Sequence, residues 1–326
     1  MNNNVYNFPE DSVFLVTGGA GFIGSNIAEA LLDMGFFVRA LDDFSTGKRS
    51  NIEGLIKNPS FKLVEGSICD YDTCESAARG VHYILHQAAW GAIPRSIKMP
   101  LEYNSVNVHG TLNMMQAAVK AGVKKFVYAS SSSVYGDEMT LPKVEGREGR
   151  LLAPYPVTKA VNELYAKNYY DVYGLKTVGL RYFNVFGRRQ DPDSDYAAVI
   201  PRFVKLLMSN ESPVINGDGS YSRDFTYIDN VIEANLKACL SGEEASGEAF
   251  NIAFGKSATI QQLFDTLARL LDRQHIKPVY GPVREGDIPH SLADISKARK
   301  ILGYDPQIGF EEGLELAVDW YSNGLY

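Results

Sequence analysis

The sequence predicts an α/β protein built on a doubly wound parallel sheet, with a smaller α/β lobe supplied mainly by its second half. Three observations predict this. Short apolar runs alternate with longer helical patterns from residue 13 to residue 173, a glycine-rich turn joins the first run to the first helix, and after Arg181 the alternation gives way to polar, turn-rich chain. Alternating strands and helices make a parallel sheet covered on both faces. Right-handed crossovers then open the binding crevice at the carboxyl ends of the strands.

The elements follow in order. Val13–Thr17 (VFLVT) reads as a buried strand, and residues 22–34 as a helix stopped by Gly35. Further strands are expected at residues 36–41, 61–64, 81–85 and 125–129. Helices are expected at residues 104–121 and 155–173, ending at Gly122 and Gly174. In the second half, residues 226–240 and 261–271 read as helices and residues 249–253 as a strand. We therefore expect a nucleotide-binding domain over residues 1–181, with later segments (about 226–253) returning to it. Residues 182–326 mainly form the other lobe.

Composition bounds the function. A chain of 326 residues with 45% hydrophobic and 22% charged residues suits about two globular domains. No uncharged apolar stretch approaches the roughly 18 residues of a membrane span. The opening MNNNVYNFPE has neither the basic nor the apolar region of a secretory signal, and three cysteines (Cys69, Cys74, Cys239) show no metal-site spacing. These point to a cytoplasmic protein without a metal. A formal charge of −7 argues against nucleic acid as a partner, but a few arginines can still hold a small anion.

Between the first strand and first helix stands TGGAGFIG, residues 17–24. Gly18, Gly21 and Gly24, with Gly19 in a second overlapping register, allow a tight turn, close backbone approach to a pyrophosphate, and close helix–strand packing. The helix N-terminus, carrying Phe22 and Ile23, then receives the anion. Asp42 ends the next strand, where a carboxylate accepts ribose hydroxyls and repels a 2′-phosphate. NAD is thus favoured over NADP, although Lys48 and Arg49 nearby leave NADP open.

Tyr155 and Lys159 are four residues apart at the start of a helical pattern, and Tyr155 is the only one of 19 tyrosines with lysine at that spacing. They share one helix face. A free phenol titrates near 10, so use as a base at neutral pH needs nearby positive charge worth roughly 4 kcal/mol. By itself the pair reads equally well as a solvated face. Upstream, however, the strand at 125–129 runs into SSSSVYG, residues 130–136, which puts serines at a strand's carboxyl end where a hydroxyl relay belongs.

TGGAGFIG, HQAAW, SSSSVYG, YPVTK and RYFNVFG, in this order, resemble the extended short-chain dehydrogenase/reductases that act on nucleotide sugars. The likeness runs from Val13 to about Lys300 and is nearest to UDP-hexose 4-epimerases, particularly those preferring N-acetylated sugars. The resemblance implies a Rossmann-type domain and NAD. It gives Tyr155 as base, Lys159 as its electrostatic partner and ribose ligand, and Ser131 as hydroxyl relay, with Ser132 the other candidate. It places Phe22, Ile23, Phe44, Gln87, Ala88, Ala89 and Tyr182 against the cofactor, and Asn107 as an anchor near it. Ser67 departs from the aspartate that often follows this glycine, while Ile68 matches.

On the substrate side the resemblance implies Arg223 and Arg284 for the diphosphate, Asn184 for a phosphate or sugar contact, and Asp287 for a ribose or sugar contact. Val199 and Asn216, with Tyr227, would neighbour the uridine. Related dehydratases and decarboxylases carry carboxylates beside the serine run, whereas here Ser132 and Ser133 stand and the first carboxylate is Asp137. That leaves oxidation at C4, turnover of the keto sugar and reduction from its other face. Gly91, Ala92 and Ala198 are small, which suits an acetamido group at C2. UDP-glucose and UDP-uronic acids remain as alternative substrates, and a non-catalytic NAD-binding scaffold or sensor remains as the alternative from another class. The helices at 104–121 and 155–173, with Leu112, Met115, Val161 and Leu164, match those through which the family forms homodimers. The same residues read equally well as intramolecular core.

Overall fold

Phe14 and Val16 face one side of the first strand and Leu15 the other, and all three are fully buried, so β1 (Val13–Thr17) must be covered on both faces. The computed structural model, which describes residues 6–193, 198–283 and 288–322, provides that cover. β1 is joined by β2 (Phe37–Asp42), β3 (Phe61–Glu65), β4 (Tyr83–His86), β5 (Lys125–Ser131), β6 (Thr177–Tyr182) and β7 (Glu248–Ile252). They form one seven-stranded sheet in the order β7-β6-β5-β4-β1-β2-β3, every pairing parallel. β1 pairs on one side with β2, Val13 opposite Phe37, and on the other with β4, Phe14 opposite Tyr83. The strand order reverses there, so the crevice opens where the carboxyl ends of β1 and β4 diverge. This is the Rossmann-type doubly wound sheet that the sequence predicts.

One face packs against α1 (Phe22–Asp33) and α6 (Ile228–Leu240). The other packs against α2 (Tyr71–Ala78), α3 (Gly110–Ala121) and α4 (Pro154–Tyr173). The glycines expected to stop two of these helices do so as left-handed caps, Gly122 at φ 65° and Gly174 at φ 70°. A π-helical turn, Asn104–His109, precedes α3.

Several elements differ from the sequence expectation. β6 lies in a stretch with no predicted strand, because all six of its residues are buried and it shows no period-2 alternation. β4 begins two residues later than expected. Thr226–Tyr227, expected as the start of a helix, instead pairs with Val185–Phe186, and the helix begins at Ile228.

The remaining chain adds α5 (Val199–Met208), α7 (Ile260–Leu270) and α8 (Phe310–Ser322), with short ribbons that include Ser222–Asp224 paired with Ser257–Thr259. Its core, with Phe183, Phe186 and Phe203, is continuous with that of the α1 face. Asp224 is fully buried here and stitches three segments together: its carboxylate accepts the amide hydrogens of Phe254 (3.1 Å), Gly255 (3.2 Å) and Ala293 (3.1 Å). Burial pushes its pKa up to about 7 against the pull of those bonds.

Candidate active site

The cofactor end of the site is built from backbone. Gly18 sits at φ +66°, and a Cβ there would lie 2.8 Å from the nitrogen of Ala88 on the neighbouring strand end; one at Gly24 would lie 2.0 Å from the Gly18 carbonyl oxygen. Side chains at either position would push the loop off the sheet. α1 begins at Gly21 with no capping side chain and no acidic residue in its first turn, which leaves a positive helix end for an anion. A cavity of about 350 Å³ opens above it, walled by Gly18, Gly21, Phe22, Ile23, Gly24, Asp42, Ile68, Gln87, Ala88, Ala89 and Gly91. The sequence reading had singled out all of these. It had not singled out Asp43, Ser45, Thr46, Trp90 and Val106, which share the wall. Asp43 directly follows Asp42, and that adjacency was the one available signal.

Asp42 is 7% exposed and accepts the amide hydrogens of Ala20 and Phe44, both at 2.8 Å. Burial raises its pKa, and the two amides oppose that rise. Each oxygen keeps lone-pair capacity for a ribose hydroxyl. Phe44, at φ +57°, lies under the Arg49 guanidinium, 4.1 Å from ring centroid to charge centre. The two cations that left NADP open are both committed to carboxylates, Lys48 to Asp191 and Arg49 to Glu65, each at 2.7 Å. Ser67 hydrogen-bonds the Asp43 carboxylate. These features fit a dinucleotide without a 2′-phosphate.

Two expected cofactor residues act as braces in the structure. Tyr182 donates to Gln87 Oε1 (3.1 Å) and accepts from Asn235 Nδ2 (2.9 Å), tying β6 to the end of β4 and to α6. Asn107, in the π turn, grips both backbone polar groups of Trp90, accepting from its N–H at 2.7 Å and donating to its carbonyl at 3.0 Å, and reaches Thr158 Oγ1 at 3.1 Å. It thus fixes the cavity wall to α4. Behind it, Thr111 Oγ1 donates to the Asn107 carbonyl (2.6 Å) and so must accept from His86 Nε2 (2.9 Å). His86 Nδ1 then accepts from Thr17 Oγ1 at 2.7 Å. Burial, aided by the nearby Lys159 charge, pushes the His86 pKa down to about 3, so the ring is neutral.

β5 and α4 meet at the chemistry. Ser131, the last residue of β5, hydrogen-bonds the Tyr155 phenol, while Ser132 opens the following 3₁₀ turn. Lys159 is 4% exposed, donates to the Ala129 carbonyl at 2.8 Å and sits 5.9 Å from the Tyr155 ring centroid. Burial lowers its pKa to about 8 against the attraction of Glu163. Burial also raises the Tyr155 pKa, and the Ser131 hydrogen bond opposes it.

A second cavity of about 170 Å³ brings together Asn184, Val199, Asn216 and Arg223 with Arg202, which the sequence reading had not named. α5 presents its N-terminus there: Val199 lines the cavity and Ala198, exposed, is the uncapped N-cap residue. Two arginines and a helix N-terminus suit a diphosphate. Asn184 adopts φ +35° and donates to the Asp224 carbonyl at 3.3 Å. Tyr227 is buried in the core. Arg284 and Asp287 lie outside the described residues.

Comparisons with known proteins agree with this geometry. The model of the NAD dependent epimerase/dehydratase family matches residues 14–253. The structure resembles a UDP-N-acetylglucosamine 4-epimerase of Methanobrevibacter ruminantium M1 solved with UDP-N-acetylmuramic acid. The TM-score is 0.91 and the identity 38%, covering 97% of this chain and 100% of that one. It also resembles a UDP-glucuronic acid 4-epimerase of Bacillus cereus solved with UDP-glucuronic acid and NAD (TM-score 0.88, 31% identity, covering 96% and 100% of the chains). A UDP-glucose 4-epimerase of Mycolicibacterium smegmatis is 34% identical over 95% of this chain and 98% of its own. The chain belongs to the NAD dependent epimerase/dehydratase family, and NAD is its cofactor. Within that family it stands among the NAD-dependent UDP-sugar 4-epimerases.

The buried lysine has a measurable consequence. A depressed lysine pKa means that the unfolded chain binds the extra proton between pH 8 and 10.5, so this group opposes folding fully below pH 8 and ceases to as pH rises through that window. Lys159→Met should stabilise the cofactor-free protein at pH 7 by on the order of 2 kcal/mol, after subtracting the lost hydrogen bond. The gain should shrink between pH 8 and 10.5. Denaturant titrations of both proteins across pH check this, and a variant less stable at pH 7 with no pH trend would contradict it.

Proposed function

We propose that this protein interconverts the C4 epimers of UDP-N-acetylglucosamine and UDP-N-acetylgalactosamine. The observation that supports it most is the convergence of Ser131 and Lys159 on Tyr155, with serines rather than carboxylates at the two positions after Ser131. Tyr155 takes the proton of the sugar's 4-hydroxyl, and Ser131 holds that hydroxyl in line. NAD, when bound, supplies the hydride acceptor and donor at C4 and the positive charge that favours the phenolate. Lys159 anchors the ribose side and adds its ammonium to the same field. With serines, not carboxylates, at the two positions after Ser131, the 4-keto species turns over while its diphosphate stays held, and Tyr155 returns the proton on the other face. Arg223, Arg202 and the α5 N-terminus are the groups suited to that hold.

Room at the sugar supports the N-acetyl reading. Gly91 lines the first cavity, and nothing lies within 4 Å of where its Cβ would be. Uronic acid substrates have one observation in their favour: Arg95 stacks 4.0 Å over the ring of Trp90, itself in the cavity wall.

Assembly as a homodimer accords with α4 and its surroundings. Met115 is fully buried and belongs to the core, but Leu164 is 72% exposed, and Leu101, Ile97, Val157 and Val172 are exposed apolar residues on the same group of helices. An open apolar stripe of this kind calls for a partner surface.

Tyr155→Phe should fold and bind NAD yet lose turnover by at least 100-fold, with Ser131→Ala milder. Near-normal turnover of Tyr155→Phe with any UDP-sugar would overturn the mechanism, and absence of turnover by the wild-type protein would favour a scaffold. Across UDP-N-acetylglucosamine, UDP-glucose and UDP-glucuronic acid, kcat/KM should be highest for the first. Ala198→Phe should cost the acetylated sugar more than the plain one. A preference for plain hexoses would reject the assignment, and one for the uronic acid would turn attention to Arg95. Light scattering at micromolar concentration should give twice the chain mass; a monomer would reject the dimer.

A further inference from the structure

The end of β5 touches α4 at three successive points. The Ala129 carbonyl accepts from Lys159, Ser130 donates to Glu163 Oε1 at 2.5 Å, and Ser131 hydrogen-bonds Tyr155. Tyr155, Lys159 and Glu163 follow one another at four-residue steps, so they rise along one face of the helix. Glu163 is also held by Arg181 of β6, the cross-strand partner of Ser130, whose Nε and Nη2 reach its two oxygens at 2.9 and 2.7 Å. Arg181 is 6% exposed and also donates to Glu148 at 2.5 Å. A bidentate pair of this kind fixes both position and charge.

We propose that Glu163 is a positioning residue for the epimerase chemistry, its carboxylate keeping the Lys159 ammonium protonated beneath Tyr155 while its bond to Ser130 sets the strand end that carries Ser131. The inference rests on the reading of Tyr155, Lys159 and Ser131 given above. The groups facing Lys159 are Tyr155 and Glu163 from its own helix, neutral His86 from β4, and Arg181 from β6, itself neutralised by Glu163 and Glu148. Glu163 is the carboxylate that opposes the desolvation of Lys159. The cost of a buried pair is commonly not repaid in stability, so a purely structural purpose is a weak account of it.

The test is the pH profile of kcat for the NAD-loaded full chain, with UDP-N-acetylglucosamine as probe, or UDP-glucose if that is the sugar turned over. Glu163→Gln keeps the shape and an acceptor for Ser130 but removes the charge. The alkaline limb of kcat, where Lys159 loses its proton, should move down by about one pH unit, roughly a tenfold loss on that limb. Glu163→Asp retains the charge and should restore the limb to near its wild-type position. Glu148→Gln leaves the Glu163 carboxylate in place and should lower thermal stability while moving the limb less than Glu163→Gln does. If Glu163→Gln does not fold, the paired substitutions Glu163→Met and Arg181→Met replace the ion pair by apolar groups, and a downward shift smaller than one unit is expected because the Arg181 charge leaves with that of Glu163. A limb unmoved in whichever charge-removed variant folds overturns the proposal. Tyr155→Phe, measured in parallel, separates the two levels: an active Tyr155→Phe would mean the underlying reading has failed, and an inactive one with an unmoved limb would mean that only Glu163 has been misassigned.

Discussion

Lys159 puts an ammonium inside the protein where the carboxyl end of β5 meets α4, and much of the catalytic half is arranged to make that tolerable. A lysine desolvated to this degree tends to give up its proton. The Ala129 carbonyl takes one N–H bond, the Glu163 carboxylate supplies the opposing charge one turn along, and Arg181 holds that carboxylate in turn. The phenol suffers the same desolvation in the opposite chemical sense, and only the Ser131 hydroxyl relieves it. Burial therefore biases both Tyr155 and Lys159 toward their neutral forms.

The polar groups behind the site work to exclude a second titrating centre. His86 could have competed for protons near neutral pH, but Thr17 and Thr111 lock it as the Nε2–H tautomer, and burial keeps it neutral. Asn107 fastens the Trp90 wall to α4 through Thr158, and Thr111 accepts from Asn162 of the same helix. The π turn at Asn104–His109 presents Asn107 for this, and such turns recur at functional sites because they re-aim a side chain within a helix.

The substrate side relies on a different device. Asp224 is buried where two other segments meet its strand, and its carboxylate gathers their amides next to Arg223. That leaves Arg223 on a fixed ribbon, opposite the uncapped N-terminus of α5, so the cavity presents positive potential from a charged fork and from helix amides together.

The sequence by itself determined the elements whose signals are local. The glycine turn at residues 17–24, the strand alternation of the first half, Asp42 at the end of β2, the Tyr155–Lys159 spacing and the glycine helix stops each depend on a few neighbouring residues, and each is where it was expected. Tertiary structure decided what depends on residues far apart in the chain. β6 has no pattern of its own because both its faces are buried. Ser131 was distinguished from Ser132 only by which of them β5 carries to Tyr155. Arg202 and Glu163 look like ordinary helical charges until α5 and α4 are packed, and the depressed pKa of Lys159 exists only once the interior has taken its water away. Periodicity and turn chemistry are written in the chain, whereas desolvation and long-range pairing come into being only when distant segments close on one another.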